Sequence, residues 1–415
     1  MMGMTEEDCR SDALGDAIRA ADGAGTDPGG TPWAELDPSK LRAQRTSIKW
    51  TRFPEDTLPL FVAEMDFRVA PEIRRALVER VDASDLGYLD GPGPLAHAFA
   101  QFAEDRWGWE VPHNRVHLAT DVATGIVEAL RVGRPHGGRL AVPTPVYPGF
   151  FEMFEELPFE VVEVPLASGE GGHALDLPAI ERLFADAPGI DAFLLCNPHN
   201  PHGLVHSAND LARLARLAAA HEVFVVSDEI HAPLTHAGQT FTPFAPLAAE
   251  AGALSVTATS ASKGWNLAGV KCSVIVAADA RANRVLRGLP PETATRASIL
   301  GLHASVAAFS EARDWLDRVI AQIEANDRLL AELLAELLPG ARYERPNAGY
   351  LAWVDARGAG LGDDPHRRIL HDARVALNDG AAFGAGGAGH VRINLACAPQ
   401  TLVEAVGRIA GVVAR

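Results

Sequence analysis

Between about residue 115 and 280, short apolar runs recur at intervals filled by helical patterns: RLAVPTP, FEVVEVPL, DAFLLCN, VFVVSDE, LSVTATS and CSVIVAAD. Each run has the length and the content of a strand. Runs that are apolar throughout, without alternation, are covered on both faces, so the pattern predicts a mostly parallel sheet between helices, an α/β fold. Helical spacing is present over 71–82, 124–133, 207–221 and 311–338, the last stopping at Pro339 and Gly340 and long enough to bridge two domains. From 341 onward, RYERPNAGYLAWVDA, a helix over 365–378, HVRINLACA and a final helix at 400–413 predict a smaller α+β unit. The predicted division is a large domain over about 75–300 and a small one combining 33–74 with 301–415. Residues 1–32, rich in Gly, Ala, Asp and Thr, offer little to bury and predict a mobile tail.

A chain of 415 residues is long for one compact domain, which agrees with the two-part pattern. Its 47% apolar and 22% charged residues are those of an ordinary soluble protein. The formal charge of −17 excludes a general attraction to nucleic acid or anionic membrane, so any anion has to be bound locally. The start, MMGMTEEDCRSD, lacks the basic region and apolar core of a signal peptide, and no apolar run is long enough to span a bilayer. The expectation is a cytoplasmic enzyme. Cys9, Cys196, Cys272 and Cys397 are scattered without CxxC spacing, predicting reduced, mostly buried thiols and no metal site.

Chemistry concentrates where apolar runs end. In TATSASKGWNLAGVKCS, Lys263 follows a strand end, with Ser260 and Ser262 beside it and Trp265, Leu267 and Ala268 making the next turn apolar. A lysine is ordinarily a solvated surface cation; a partly desolvated one has a lowered pKa and a neutral amine available for imine formation. VFVVSDEIH ends in Asp228, which reads either as a helix cap or as a carboxylate that holds a pyridine nitrogen protonated. In LLCNPHNPHG, Asn200 is either turn chemistry or an amide presented at a strand end, where open α/β sheets collect ligands. Three strand ends could thus converge on one crevice.

The order NPHNPHG, SDEIH, SASKGWNLAG, RINLA resembles the fold-type I enzymes of pyridoxal 5′-phosphate (PLP), the aspartate-aminotransferase-like superfamily. PLFVAEMDF, SIKW, GYLDGPGPL and PTPVYPGFF add a resemblance to its cystathionine β-lyase, or carbon–sulfur lyase, branch, over nearly everything from Thr46 to the C-terminus. The resemblance implies the PLP-transferase fold and PLP as cofactor. It implies that Lys263 carries the Schiff base, that Asp228 pairs with the ring nitrogen, that Asn200 bonds the ring 3′-oxygen and that Tyr147 stacks on the ring. Ser260 and Lys271 match positions that contact the phosphate. The phosphate loop falls at ATDVATGI, with the backbone N–H groups of Val122, Ala123 and Thr124 at a helix start; the other reading is an ordinary helix start capped by Asp121, an acid that would repel phosphate unless turned away. Arg392 matches the arginine that clamps the substrate carboxylate, a task suited to its fork of donors. Tyr88 matches a tyrosine that reaches the partner subunit's phosphate, implying a homodimer with shared active sites. Without the family, Tyr147 and Tyr88 read equally as packing residues and Arg392 as a surface strand arginine. His231 stands where many aminotransferases carry a tyrosine, and Pro233 where some relatives carry an acid.

The expected reaction is α,β-elimination on an amino acid with sulfur at Cβ, such as L-cystathionine, L-cysteine or an S-conjugate, giving a thiol, pyruvate and ammonia. Lys263 removes the Cα proton. An aminotransferase needs the same cofactor residues, and a PLP-binding regulator without catalysis is a third reading.

Overall fold

The computed structural model describes residues 37–169 and 172–414; the tail expected over 1–32, and Cys9 within it, lie outside them. All six apolar runs form strands, and Val116–Ala119 joins them, a segment too short and too polar at His117 to stand out in the sequence. In chain order the strands are β1 (Val116–Ala119), β2 (Gly138–Thr144), β3 (Phe159–Pro165), β4 (Ala192–Cys196), β5 (Phe224–Asp228), β6 (Ser255–Thr259) and β7 (Ser273–Ala277). They form one sheet in the order β1-β7-β6-β5-β4-β2-β3. The run from β6 to β3 is parallel, while β7 is antiparallel to both of its neighbours. Two reversals cancel, so the carboxyl ends of β1, β2, β4, β5 and β6 lie along one edge.

Alternation along each strand divides the core into two apolar layers. Ala192, Leu194 and Cys196 of β4 enter one layer with Phe224 and Val226 of β5, whereas Phe193, Leu195 and Val225 enter the other. Helix α1 (Val122–Gly133) covers the first layer with Ile126, Ala129 and Leu130, and α2 (Ala208–Ala220) covers the second with Leu211, Leu214 and Ala218. Burial on both faces is the physical reason for the uninterrupted apolar runs; each fully buried leucine contributes about 1.5–3 kcal/mol.

The second sheet is antiparallel: β8 (Arg342–Tyr343), β9 (Leu351–Asp355), β10 (Asn378–Asp379) and β11 (His390–Asn394), in the order β8-β9-β11-β10. The long predicted helix is α3 (Arg313–Leu337), preceded by a separate helix, Ile299–Ser310. Its buried Trp315, Leu316, Val319, Ile320 and Ile323 form one helical stripe, and it packs against α4 (Pro399–Val413). The helix expected over 365–378 is corrected: Pro365–Arg368 passes into a π-type turn, Ile369–Ala373, and Arg374 reverses the chain at φ 55°. Val375–Ala376 then pairs in parallel with Leu58–Pro59. Both of these residues are buried there, and this long-range pairing prevails over local helical spacing.

That pairing anchors a strap, residues 60–67, between the two sheets. On one side Leu60 N donates to Ala376 O, Asn394 N to Leu60 O and Asp66 N to Ala396 O; on the other, Met65 exchanges two hydrogen bonds with the side chain of Asn266, at 2.9 and 3.0 Å. Among the described residues no helix is long and apolar enough to cross a membrane. Among the described residues Cys196, Cys272 and Cys397 are buried and unpaired.

Candidate active site

Lys263 emerges just past β6 and is drawn beneath the strap, where its Nζ donates to Ala63 O at 2.9 Å. Burial lowers its pKa to about 8; Arg392 lowers it further, while Asp228 and Glu64 oppose the shift. A useful fraction of the amine is therefore neutral near physiological pH. Asp228 closes β5, and its Oδ1 accepts from Ile230 N at 3.1 Å. Burial raises its carboxyl to about 7, against the Ile230 hydrogen bond and the Lys263 charge. The next residue points elsewhere, because successive side chains alternate: Glu229 Oε1 accepts from Phe244 N and Ser227 Oγ, both at 2.9 Å, in the interior.

Arg392 comes from the middle of β11 and is buried. Its Nη1 donates to Asn200 Oδ1 at 3.0 Å, and its Nη2 to Asn378 Oδ1 at 2.6 Å and Phe61 O at 3.4 Å, with the guanidinium over the Phe383 ring. It makes no ion pair among the described residues, and its Nε is buried without a partner. Burial lowers it to about 10, so it remains a cation. A buried guanidinium that lacks an anion is costly unless a ligand supplies one.

His231 is buried beside Tyr350, with ring centroids 6.5 Å apart, and burial together with Lys263 and Arg392 lowers it to about 3, leaving the imidazole neutral. Tyr147 follows β2, stands 42% exposed and meets Phe150 edge to face. Its phenol is raised by burial, with the Arg392 charge opposing the shift and those of Glu152, Asp228 and Asp121 adding to it. A Cβ at Gly149 would lie 2.4 Å from this ring, so glycine is what leaves room for it.

A second cluster surrounds the start of α1. Asp121 caps the helix by accepting from Thr124 N at 2.9 Å, and its other oxygen takes Lys271 Nζ at 2.7 Å. The expectation that three N–H groups face outward is corrected for Thr124, whose donor is already engaged; those of Val122 and Ala123 have no partner among the described residues. Burial pushes the Asp121 carboxyl up, but Lys271 and Thr124 outweigh it and the net shift is downward. The acid is thus a paired anion, its charge offset by Lys271. Ser260 is buried, and its Oγ accepts from Ser262 N at 3.0 Å.

Lys263, Asp228, Asn200, Arg392, His231 and Tyr147 therefore share one cleft. Tyr88 does not join them: it is 93% exposed and makes no hydrogen bond or ring contact with any described residue. Val78, Val81 and Leu86, near it in the chain, are exposed as well. Sequence reasoning missed the strap as a structural participant, together with Tyr350, whose hydroxyl donates to the same Ala63 carbonyl at 2.9 Å, and Asn394, whose Nδ2 donates to Val62 O and Glu64 O, both at 2.7 Å. A signal was available for Asn394, two residues from Arg392 on one strand and hence on the same face.

A family profile for aminotransferase class I and II matches residues 55–409, and the chain belongs to that family. Its fold is the aspartate-aminotransferase-like PLP-transferase fold. A Mycobacterium leprae protein provisionally named a cystathionine beta-lyase is 41% identical over 91% of this chain and 97% of its own length. The cystathionine beta-lyase PatB of Bacillus subtilis is 34% identical over 90% of this chain and 98% of its own. A crystal structure from Corynebacterium diphtheriae, provisionally described as a PLP-dependent beta-cystathionase, is 34% identical with a TM-score of 0.86, covering 93% of this chain and all of that one.

Proposed function

We propose that the protein is a PLP-dependent carbon–sulfur β-lyase that cleaves L-cystathionine or related cysteine S-conjugates to a thiol, pyruvate and ammonia. The observation that carries PLP chemistry on an amino acid is Arg392, a buried guanidinium with an unpartnered Nε and no anion of its own, in the same cleft as a lysine amine lowered to about 8. A substrate α-carboxylate satisfies the first, and a Cα proton is the task of the second.

The residues present fit PLP. Lys263 would hold its aldehyde carbon, Asp228 would face its ring nitrogen, Asn200 and His231 the ring oxygen, and Tyr147 the ring plane. Lys271, Ser260 and the free N–H groups of Val122 and Ala123 would hold the phosphate. When bound, PLP supplies an electron sink for charge left at Cα. Asp228 keeps a proton at the ring nitrogen, Arg392 orients the substrate, and Lys263 takes the Cα proton and can return one to the departing sulfur. An aminotransferase would use the same groups; what favours elimination is the likeness to the Mycobacterium and Bacillus proteins.

The reading includes a large domain over about 75–300, a small one from 33–74 with 301–415, and a homodimer in which Tyr88 reaches the partner's phosphate site. The test is incubation of the PLP-loaded protein with L-cystathionine, and separately with L-alanine and a 2-oxoacid. Thiol and pyruvate in equal amounts support the lyase. Amino transfer without thiol release supports the aminotransferase, and neither activity the non-catalytic regulator.

A further inference from the structure

The strap carries a carboxylate to which the proposed reaction gives no task. Glu64 follows Ala63, whose carbonyl holds the Lys263 amine, and its backbone is fixed: Glu64 O accepts from Lys49 Nζ at 3.0 Å and from Asn394 Nδ2 at 2.7 Å. Its side chain is only partly buried. Oε1 accepts from Ser47 Oγ at 2.8 Å, and Oε2 has no partner among the described residues. Neighbouring cations are engaged elsewhere: Lys49 pairs with Asp66 at 2.5 Å, and Arg45 donates to the carbonyls of Met65, Asp66 and Phe67. Glu64 is thus one residue from the carbonyl that holds both Lys263 and Tyr350, and its negative charge raises the pKa of each.

Under the lyase reading, on which this step rests, Arg392 takes the α-carboxylate and Lys263 the Cα proton. Candidate substrates then differ only beyond the sulfur. L-Cysteine has no group there and simple S-alkyl conjugates a neutral one, whereas cystathionine has a second ammonium and carboxylate. A fixed carboxylate with one free oxygen recognises an ammonium, which offers three donors and a full charge. We propose that Glu64 is a specificity-determining residue that selects substrates whose leaving thiol carries an ammonium group.

The test compares the holoenzyme's kcat/KM for L-cystathionine with that for S-(3-carboxypropyl)-L-cysteine, which replaces the distal ammonium by hydrogen and changes nothing else. The wild type prefers cystathionine, and Glu64→Gln lowers the preference about tenfold, the size of one charge-assisted hydrogen bond at a partly exposed site. In the wild type the preference also shrinks as ionic strength rises from about 0.01 M to about 1 M, because exposed charge recognition is screened; this measurement decides the matter should the variant not fold. A preference unmoved by both the substitution and salt overturns the proposal. So does an equal loss for both substrates, which makes Glu64 a positioning residue of the strap. A wild-type enzyme that cleaves both compounds equally refutes Glu64's role and leaves the lyase reading intact, whereas one that cleaves neither removes the lyase reading itself.

Discussion

The two walls of the cleft are built on different plans. On the large-sheet wall, chemistry begins where buried strands stop: β5 delivers Asp228 as its final residue, and the turns after β4 and β6 deliver Asn200 and Lys263. The strands are held by apolar layers on both faces, so their ends are rigid and the polar side chains reach the cleft without loss of backbone hydrogen bonds. On the opposite wall, Arg392 comes from mid-strand and the strap contributes chiefly carbonyl oxygens: Phe61 to Arg392, Ala63 to Lys263 and Tyr350, Glu64 to Lys49 and Asn394. One wall supplies reactive side chains and the other fixes them with main chain. Substitutions on the first wall should therefore remove chemistry while the fold persists, whereas on the second they should loosen binding and stability together.

The largest effect expected is at Lys263. Lys263→Ala should lower turnover by about 10⁴-fold, the upper range for loss of a general acid–base group, and should leave no PLP adduct after borohydride reduction. Mass spectrometry that finds reduced PLP on another lysine of the wild type would break the assignment. Asp228→Asn comes next, with turnover down by about 10²–10³-fold, as for other lost electrostatic stabilisers, and the fold retained. This group also has a pH signature in the cofactor-free protein. Its folded value of about 7 stands above its ordinary 3.8, so folding favours the protonated form. The stability it contributes is full below about pH 4 and is lost as pH rises through 7. Asp228→Asn should flatten the fall in melting temperature across that window, and an unchanged slope would mean that Asp228 ionises freely in the fold.

The second wall sharpens the contrast. Arg392→Lys keeps a cation but not the fork that engages Asn200 and Asn378; if that fork also takes the substrate carboxylate, kcat/KM should fall roughly 10–100-fold, mainly through KM. Asn394→Ala removes donors from two strap carbonyls and should cost about 1–3 kcal/mol of stability, read from urea unfolding. If Asn394→Ala left stability intact and impaired only turnover, the strap would be a chemical participant and the division between walls would fail.

The same contrast explains what the sequence reveals. The sheet, its order of apolar runs and the cluster of Lys263, Asp228 and Asn200 were legible because full burial forces uniform apolarity, and the change to polar residues marks each strand's end. The strap was not legible in this way. Main-chain carbonyls have no sequence signature, and PLFVAEMDF stands out in the sequence only for the family resemblance it carries, not for the hydrogen bonds that Asn394 and Asn266 make to it. The early end of the 365–378 helix was hidden for a related reason, since Val375 and Ala376 fit a helical stripe as well as they fit a strand beside Leu58 and Pro59. Thr124 was misread as a free donor because Asp121, flagged in the sequence as a possible cap, does cap it.

The smallest expected effect tests whether one chain contains the whole cleft. Val78 and Val81 at the end of helix Pro71–Asp82, and Leu86 and Tyr88 just after it, are large exposed side chains, and a tyrosine suits an interface where its ring packs while its hydroxyl reaches an anion. If Tyr88 serves the partner's phosphate site, Tyr88→Phe keeps the packing, preserves the dimer in sedimentation and weakens PLP binding about tenfold, the loss of one hydrogen bond to a charged group. Differently tagged Tyr88→Phe and Lys263→Ala subunits, co-expressed and purified as heterodimers, then distinguish reach across the interface from action within one chain. With reach across, both lesions fall in one site and the other is wild type, so limiting PLP supports half of wild-type activity at wild-type affinity. With action within the chain, the only site that retains its lysine lacks its tyrosine, and the surviving activity requires about tenfold more PLP. Half activity at the weakened affinity, or a monomer with full activity, would show that the cleft is complete without its partner.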